Sequence, residues 1–226
     1  MKRLTEYVLH QFFSTGAQTR LHMRTDLHLA RKAWHMFMGL MIALIYMFVV
    51  SASTGVLFLG TFLVLAVALE VSRLKNPAIN EKVIRAWGPV MRSCEINKMS
   101  GIPYYILANL LAVGIFPKPV AILSILYLAF GDPIASVFGI LFGDRSIRFS
   151  NGKSLIGTLA GIAACTVVGL MFLPSQIPDY AVFGMALIGG IAGGTAELLP
   201  FDTDDNFTIP IVSGFVLWLA FILFGL

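Results

Sequence analysis

An aspartate followed by a proline, Asp132–Pro133, lies inside the apolar run AFGDPIAS at 129–136. A carboxylate within a membrane span costs roughly 2.5–3.5 kcal/mol to insert, and it marks a functional cavity. Proline lacks a backbone N–H and clashes with the preceding turn, so this pair predicts a broken span with the Ala129 carbonyl left unpaired. Asp before Pro also suits a helix start, the carboxylate capping the free N–H groups and proline taking the first helical position. A half-helix beginning at Asp132 would aim an anion-attracting N-terminus into the protein. Ser136, four residues on, shares its face.

Other polar groups interrupt the apolar background. AELLPFDTDDNFTIP at 196–210 holds Glu197, Asp202, Asp204, Asp205 and Asn206. Carboxylates with an amide oxygen are the hard ligands that Mg2+ takes, commonly alongside substrate phosphates; a solvated acidic turn is the plainer alternative. SNGKS at 150–154 is not a Walker loop, because Ile147 stands where that pattern needs glycine and no strand precedes it. What remains is Lys153 followed by Ser154, Gly157 and Thr158 at the start of an apolar helix, a phosphate contact of the helix-terminus kind. RKAWH at 31–35 puts Arg31 and His35 on one helical face with Lys32 adjacent, and with Trp34 it equally suits an interfacial anchor. Glu70 and Arg73 are spaced for a local ion pair or for a place in the site. Cys94 and Cys165 cannot build a disulfide framework or a zinc cluster. Basic groups for phosphate, carboxylates for a divalent cation and a membrane scaffold together point to phosphoryl chemistry on a lipid. Asp132 fits that scheme as a metal ligand or as a base toward a hydroxyl.

These groups need elements to hold them. The chain has 226 residues, 58% hydrophobic and only 12% charged, with a mean hydropathy of +0.84. That composition belongs to an all-α, polytopic integral membrane protein. Given the roughly 20 residues that a crossing requires, seven apolar stretches qualify: 33–50, 54–69, 102–116, 119–142, 155–173, 181–199 and 208–226. The second and third are short, and the fourth is the one broken at Asp132–Pro133. Residues 1–30 form a basic arm without the build of a signal peptide, expected to stay cytoplasmic. Residues 31–226 read as a single transmembrane catalytic domain. Within it, 70–101 is an amphipathic interfacial segment interrupted at Pro77 and Pro89. Of the 16 Lys and Arg residues, only Lys118 falls outside when the N-terminus is inside. The loops at 70–101, 143–154 and 201–206 are then expected on the cytoplasmic side of the cell (inner) membrane.

In order, RKAWH, the ExxR of 70–73, GDPIASVFGILFG, NGKSLIGT and Glu197 through DDNFTIP resemble the motif series of the CTP-dependent lipid kinases. That superfamily includes dolichol kinase, phytol kinase and the yeast-type diacylglycerol kinase, with phosphatidate cytidylyltransferases as distant relations. The match covers about residues 31–215. The resemblance implies an enzyme that moves the terminal phosphoryl group of CTP to the hydroxyl of a membrane lipid alcohol, with Mg2+ and without nucleic acid. It carries Arg31, Lys32 and His35 onto the basic motif; Asp132, Ser136, Gly139 and Gly143 onto the GD motif; Lys153, Ser154, Gly157 and Thr158 onto the KS–GT motif; and Asp205, Asn206 and Pro210 onto the last. The expected catalytic groups are Asp132, Lys153 and Asp205. Nucleotide contacts fall to Arg31, Lys32, His35, Arg73, Ser136, Ser154, Gly157 and Thr158, and metal contacts to Asp132, Glu197, Asp204, Asp205 and Asn206. Ile156 replaces the glutamate that dolichol kinases tend to carry there, which favours the diacylglycerol and phytol branches. An enzyme making a CDP-lipid and a membrane transporter are the alternatives, the latter lacking the inverted repeats it should show.

Overall fold

The computed structural model describes residues 27–175, 177–199 and 203–225. Most of the basic arm, and Asp202 of the acidic stretch, lie outside the described residues. Within them the chain is helical: α1 (Leu29–Phe48), α2 (Ala52–Lys75), α3 (Pro77–Trp87), α4 (Gly101–Ile115), α5 (Lys118–Leu126), α6 (Asp132–Phe142), α7 (Leu155–Phe172), α8 (Asp179–Thr195) and α9 (Asp205–Leu223). Starts follow local chemistry. Ser51, Asn76, Ser100, Ser154 and Asp204 each accept a hydrogen bond from a backbone N–H of the first turn, and Pro77 occupies the first position of α3.

The expected break at Asp132–Pro133 is absent. α5 and α6 form one rod through a π-helical turn at Tyr127–Gly131. Gly131 and Asp132 keep right-handed helical torsions, and no side chain caps α6. The wider π turn takes up the register shift at the residue whose N–H proline removes, so the helix adjusts instead of ending. Asp132 is therefore not a helix cap.

Among the described residues, five helical stretches are long and apolar enough to cross a membrane: Ala52–Lys75, Lys118–Arg145, Leu155–Phe172, Asp179–Leu198 and Asp205–Leu223. Gly101–Ile115 is apolar but shorter, and Leu29–Phe48 begins with charged residues. The stretch expected at 54–69 is longer than its apolar run suggests, because the helix continues for 24 residues through Glu70 and Arg73.

The α5–π–α6 rod is the axis of the bundle. Every residue from Val120 to Ala129 is buried, with α1, α4, α7 and α9 packed around it. The outer helices leave large apolar side chains uncovered, including Leu57, Phe58, Phe62 and Leu65 of α2 and Phe183 and Leu219 farther on. A surface of this kind suits lipid and not water. Two buried serine hydroxyls bond back to their own helices, Ser124 to the Ala121 carbonyl and Ser213 to that of Ile209.

Glycines set the closest approaches. A Cβ at Gly39 of α1 would fall on Ala129 of the π turn; one at Gly157 of α7 would lie 2.7 Å from the Ala135 carbonyl of α6. Helices that touch through backbone in this way hold their polar ends in fixed register.

Candidate active site

All the charged side chains of the site gather at one end of the bundle, at a cavity of about 460 Å3. α1 contributes Arg31, Lys32 and His35; the α3–α4 connection contributes Arg92; α6 contributes Asp132 and Ser136. The 143–154 loop adds Lys153 and Ser154, the α8–α9 connection adds Glu197, and the first turn of α9 adds Asp205 and Asn206.

At its centre three carboxylates converge. One oxygen each from Asp132, Glu197 and Asp205 lie within 4.8 Å of one another. Lys153 stands among them, its Nζ 2.6 Å from Glu197 Oε2 and 2.8 Å from Asp205 Oδ2. Burial alone would lower the Lys153 pKa, but Glu197, Asp205 and Asp132 outweigh it and hold the ammonium well above its ordinary 10.5. Asp132 reaches these partners although it lies ten residues from the end of its rod. α8 ends and α9 begins at its level, so the cavity is sunk into the bundle.

The Lys153 loop is a tight hairpin. Phe149 N–H donates to the Lys153 carbonyl at 2.8 Å, Lys153 N–H donates to Asn151 Oδ1 at 3.1 Å, and Leu155 N–H donates to the Ile147 carbonyl at 2.9 Å. Gly152 takes a φ of +80°, a conformation that favours glycine. Asn151 donates from Nδ2 to the Glu197 carbonyl, tying the hairpin to the acidic turn.

The remaining expected residues separate by place. Ser154 lines the cavity and accepts from Gly157 N–H as the cap of α7. Gly157 lines it at the α6–α7 contact, while Thr158 is buried beside it with no hydrogen-bond partner for its hydroxyl among the described residues. Asp204 caps α9, accepting from Asn206 N–H at 2.9 Å, and Asn206 Nδ2 donates to the Gly101 carbonyl at 3.4 Å. Asp204 is not among the three converging carboxylates, whereas Asn206 lines the cavity beside them.

Arg73 is not at the cavity. It is 1% exposed, and its guanidinium donates to both oxygens of Glu70, to Asn80 Oδ1 and to the carbonyls of Ile96 and Lys98. Glu70 in turn accepts from the backbone N–H and hydroxyl of Ser100. The pair is a buried clasp that fastens the α3–α4 connection to α2. The same connection supplies two residues that the sequence reading passed over. Glu95, 5% exposed, accepts from Arg31 Nη1 at 3.0 Å, Arg92 N–H at 2.9 Å and Gly101 N–H at 3.3 Å. Burial pushes the Glu95 carboxyl up, but Arg31 and Arg92 hold it below its ordinary value. The charge density of 70–101 was the only signal for Arg92 and Glu95.

Three carboxylates within one cation's reach fit Mg2+, which is bound through a few carboxylates together with substrate phosphate oxygens. The basic rim of Arg31, Lys32 and Arg92 fits phosphates.

Comparison with known proteins finds lipid kinases. The chain is 31% identical over 202 residues to a CTP-dependent diacylglycerol kinase of Eremothecium gossypii, covering 81% of this chain and 64% of that protein. It is 31% identical over 163 residues to the CTP-dependent diacylglycerol kinase of Schizosaccharomyces pombe, covering 66% of this chain and 73% of that one. A chloroplastic farnesol kinase of Arabidopsis thaliana is 28% identical over 214 residues, covering 87% of this chain and 66% of that protein. The chain thus spans less than two thirds of the Eremothecium relative's length. No family model matches the chain, and no solved structure gives a significant match.

Proposed function

We infer the reaction from one premise, that the chain belongs to the CTP-dependent lipid kinases. On that footing the cavity binds CTP by its phosphates, and a lipid hydroxyl attacks the terminal phosphorus. The observation that carries this reading is the convergence of Asp132, Glu197 and Asp205 on Lys153 beneath a rim of Arg31, Lys32 and Arg92.

Asp132, Glu197 and Asp205 would hold Mg2+, which supplies charge neutralisation at the phosphate oxygens. Arg31, Lys32 and Arg92 draw the triphosphate into the cavity and orient it. Lys153 donates to the phosphate oxygens that gain charge during transfer. Asp132 offers its second carboxylate oxygen to the acceptor hydroxyl and takes the proton as the new P–O bond forms. The bond between the terminal phosphorus and its bridging oxygen breaks, and CDP leaves. His35, stacked edge-on against Tyr105 with ring centroids 4.8 Å apart, walls the cavity next to Asp132.

The acceptor we propose is diacylglycerol, the substrate named for the Eremothecium and Schizosaccharomyces relatives, with isoprenoid alcohols as the other members of the panel. We also propose seven crossings, counting Leu29–Phe48 and Gly101–Ile115, with the cavity open to the cytoplasm. The weight of Lys and Arg at that end supports this orientation.

The test uses CTP labelled at the innermost or the terminal phosphorus, with diacylglycerol, phytol, a polyprenol or phosphatidate. Label reaching an alcohol from the terminal position is the expected result. Label reaching only phosphatidate, and only from the innermost position, would replace the kinase by a cytidylyltransferase.

A further inference from the structure

We propose that Lys153 is the resident cation of the carboxylate seat: it occupies the place of the divalent ion until nucleotide arrives, then moves to the phosphates as the ion enters. The proposal rests on reading Asp132, Glu197 and Asp205 as the cation seat.

The geometry is specific. Lys153 Nζ lies 2.6 Å from Glu197 Oε2 and 2.8 Å from Asp205 Oδ2. Those carboxylates, with Asp132, are the groups whose oxygens fall within 4.8 Å of one another. A magnesium-sized ion binds carboxylate oxygen at roughly 2.0–2.1 Å. An ion at these oxygens and an ammonium bonded to the same two groups would bring like charges almost into contact. One has to leave. Without either, three carboxylates would face each other at the bottom of a sunken cavity, and like-charge repulsion would disfavour keeping all of them ionised. The lysine therefore keeps the seat formed while it is metal-free.

The hairpin restricts what can move. The backbone of Lys153 is tied on both sides, through its carbonyl to Phe149 N–H and its N–H to Asn151 Oδ1. Only the four-carbon stem can swing, and it swings within a cavity whose rim carries Arg31, Lys32 and Arg92. Triphosphate held on that rim offers the ammonium new anionic partners. Nucleotide thereby releases the seat, and the ion that fills it prevents the lysine from returning. Metal and nucleotide should bind with positive coupling, and the coupling must be reciprocal.

The probe is Mn2+, whose free concentration is read by electron paramagnetic resonance, with the purified full chain in detergent. Affinity is measured with and without a CTP analogue carrying a methylene between the β and γ phosphorus, after correction for Mn2+ held by the analogue in solution. In the wild type the analogue should tighten Mn2+ binding by about 5- to 150-fold. Lys153→Gln keeps a hydrogen bond to the carboxylates but removes the charge. It should bind Mn2+ more tightly than the wild type when no nucleotide is present, by about tenfold, and should lose most of the analogue's effect. Lys153 would thus hinder metal binding while favouring turnover, a combination that a merely structural lysine does not give.

Equal Mn2+ affinity with and without the analogue in the wild type overturns the proposal, and needs no variant. So does Lys153→Gln protein, folded by circular dichroism, that binds Mn2+ no more tightly than the wild type. The labelled-CTP assay separates the two readings. Terminal-phosphoryl transfer without the Mn2+ effects removes only the exchange of cations; the Mn2+ effects without transfer leave the exchange standing and remove the kinase reaction.

Discussion

Asp132 was visible in the sequence because a carboxylate in an apolar run is expensive, but its local role was not. The expected cap is missing, since Gly131 and Asp132 continue the helix, and the side chain instead joins Glu197 and Asp205. Asp132→Asn should therefore leave folding intact and lower turnover by at least about 10²-fold, as expected for loss of a proton acceptor and cation ligand. Labelled-CTP turnover beside an unfolding curve measures both. Lys153 gives a pH prediction. Its pKa in the folded protein is raised, so the stability it contributes is fully present below the unfolded value near 10.5 and is lost only as pH rises through the higher folded value. The difference in melting temperature between wild type and Lys153→Gln should stay constant from about pH 7 to about pH 9. A difference that shrinks across that window would mean that the carboxylates do not hold the ammonium charged. Glu95 carries no motif, and its place beside Arg31 follows from the path of a loop, which residue spacing does not encode.

At the scale of elements, apolar runs gave the helices their positions, whereas polar residues misled about their ends. Glu70 and Arg73 looked like the limit of a span; α2 continues through them because each neutralises the other inside the bundle. Breaking a buried pair by removing one partner costs about 3–5 kcal/mol. Arg73→Ala should show a loss of that size in chemical unfolding, and it should also loosen the connection bearing Arg92 and Glu95. Gly157 was read as a nucleotide contact and Gly139 and Gly143 as members of the GD motif, yet all three lie where α6 meets the start of α7. A methyl at Gly157 would lie 2.7 Å from the Ala135 carbonyl and 3.1 Å from Gly139 Cα. Backbone cannot rotate aside as a side chain can, so the helices must part. Gly157→Ala should cost about 1–3 kcal/mol and should lower kcat as well as stability, because Asp132 and Lys153 stand on opposite sides of that contact. Spacing alone cannot separate a glycine that admits a phosphate from one that admits a helix.

For the whole molecule, the decisive asymmetry is that charge collects at one end. Arg31, Arg92, Arg148 and Lys153 surround the cavity, while Lys118 begins α5 at the far end, its Nζ 5.2 Å from the centre of the Tyr46 ring. The native cysteines make the proposed orientation testable, since Cys94 is exposed at the cavity end and Cys165 is buried. In intact cells a membrane-impermeant maleimide should leave Cys94 unmodified, and permeabilisation should expose it. Replacing exposed Lys118 by cysteine places a thiol at the other end of the same bundle. Lys118→Cys should react in intact cells, in a protein that still phosphorylates lipid. The two thiols check each other: reagent that enters cells would label both, and a protein lost from the membrane would expose both. Labelling of Cys94 alone in intact cells would turn the molecule over, putting the cavity on the side away from cytoplasmic CTP.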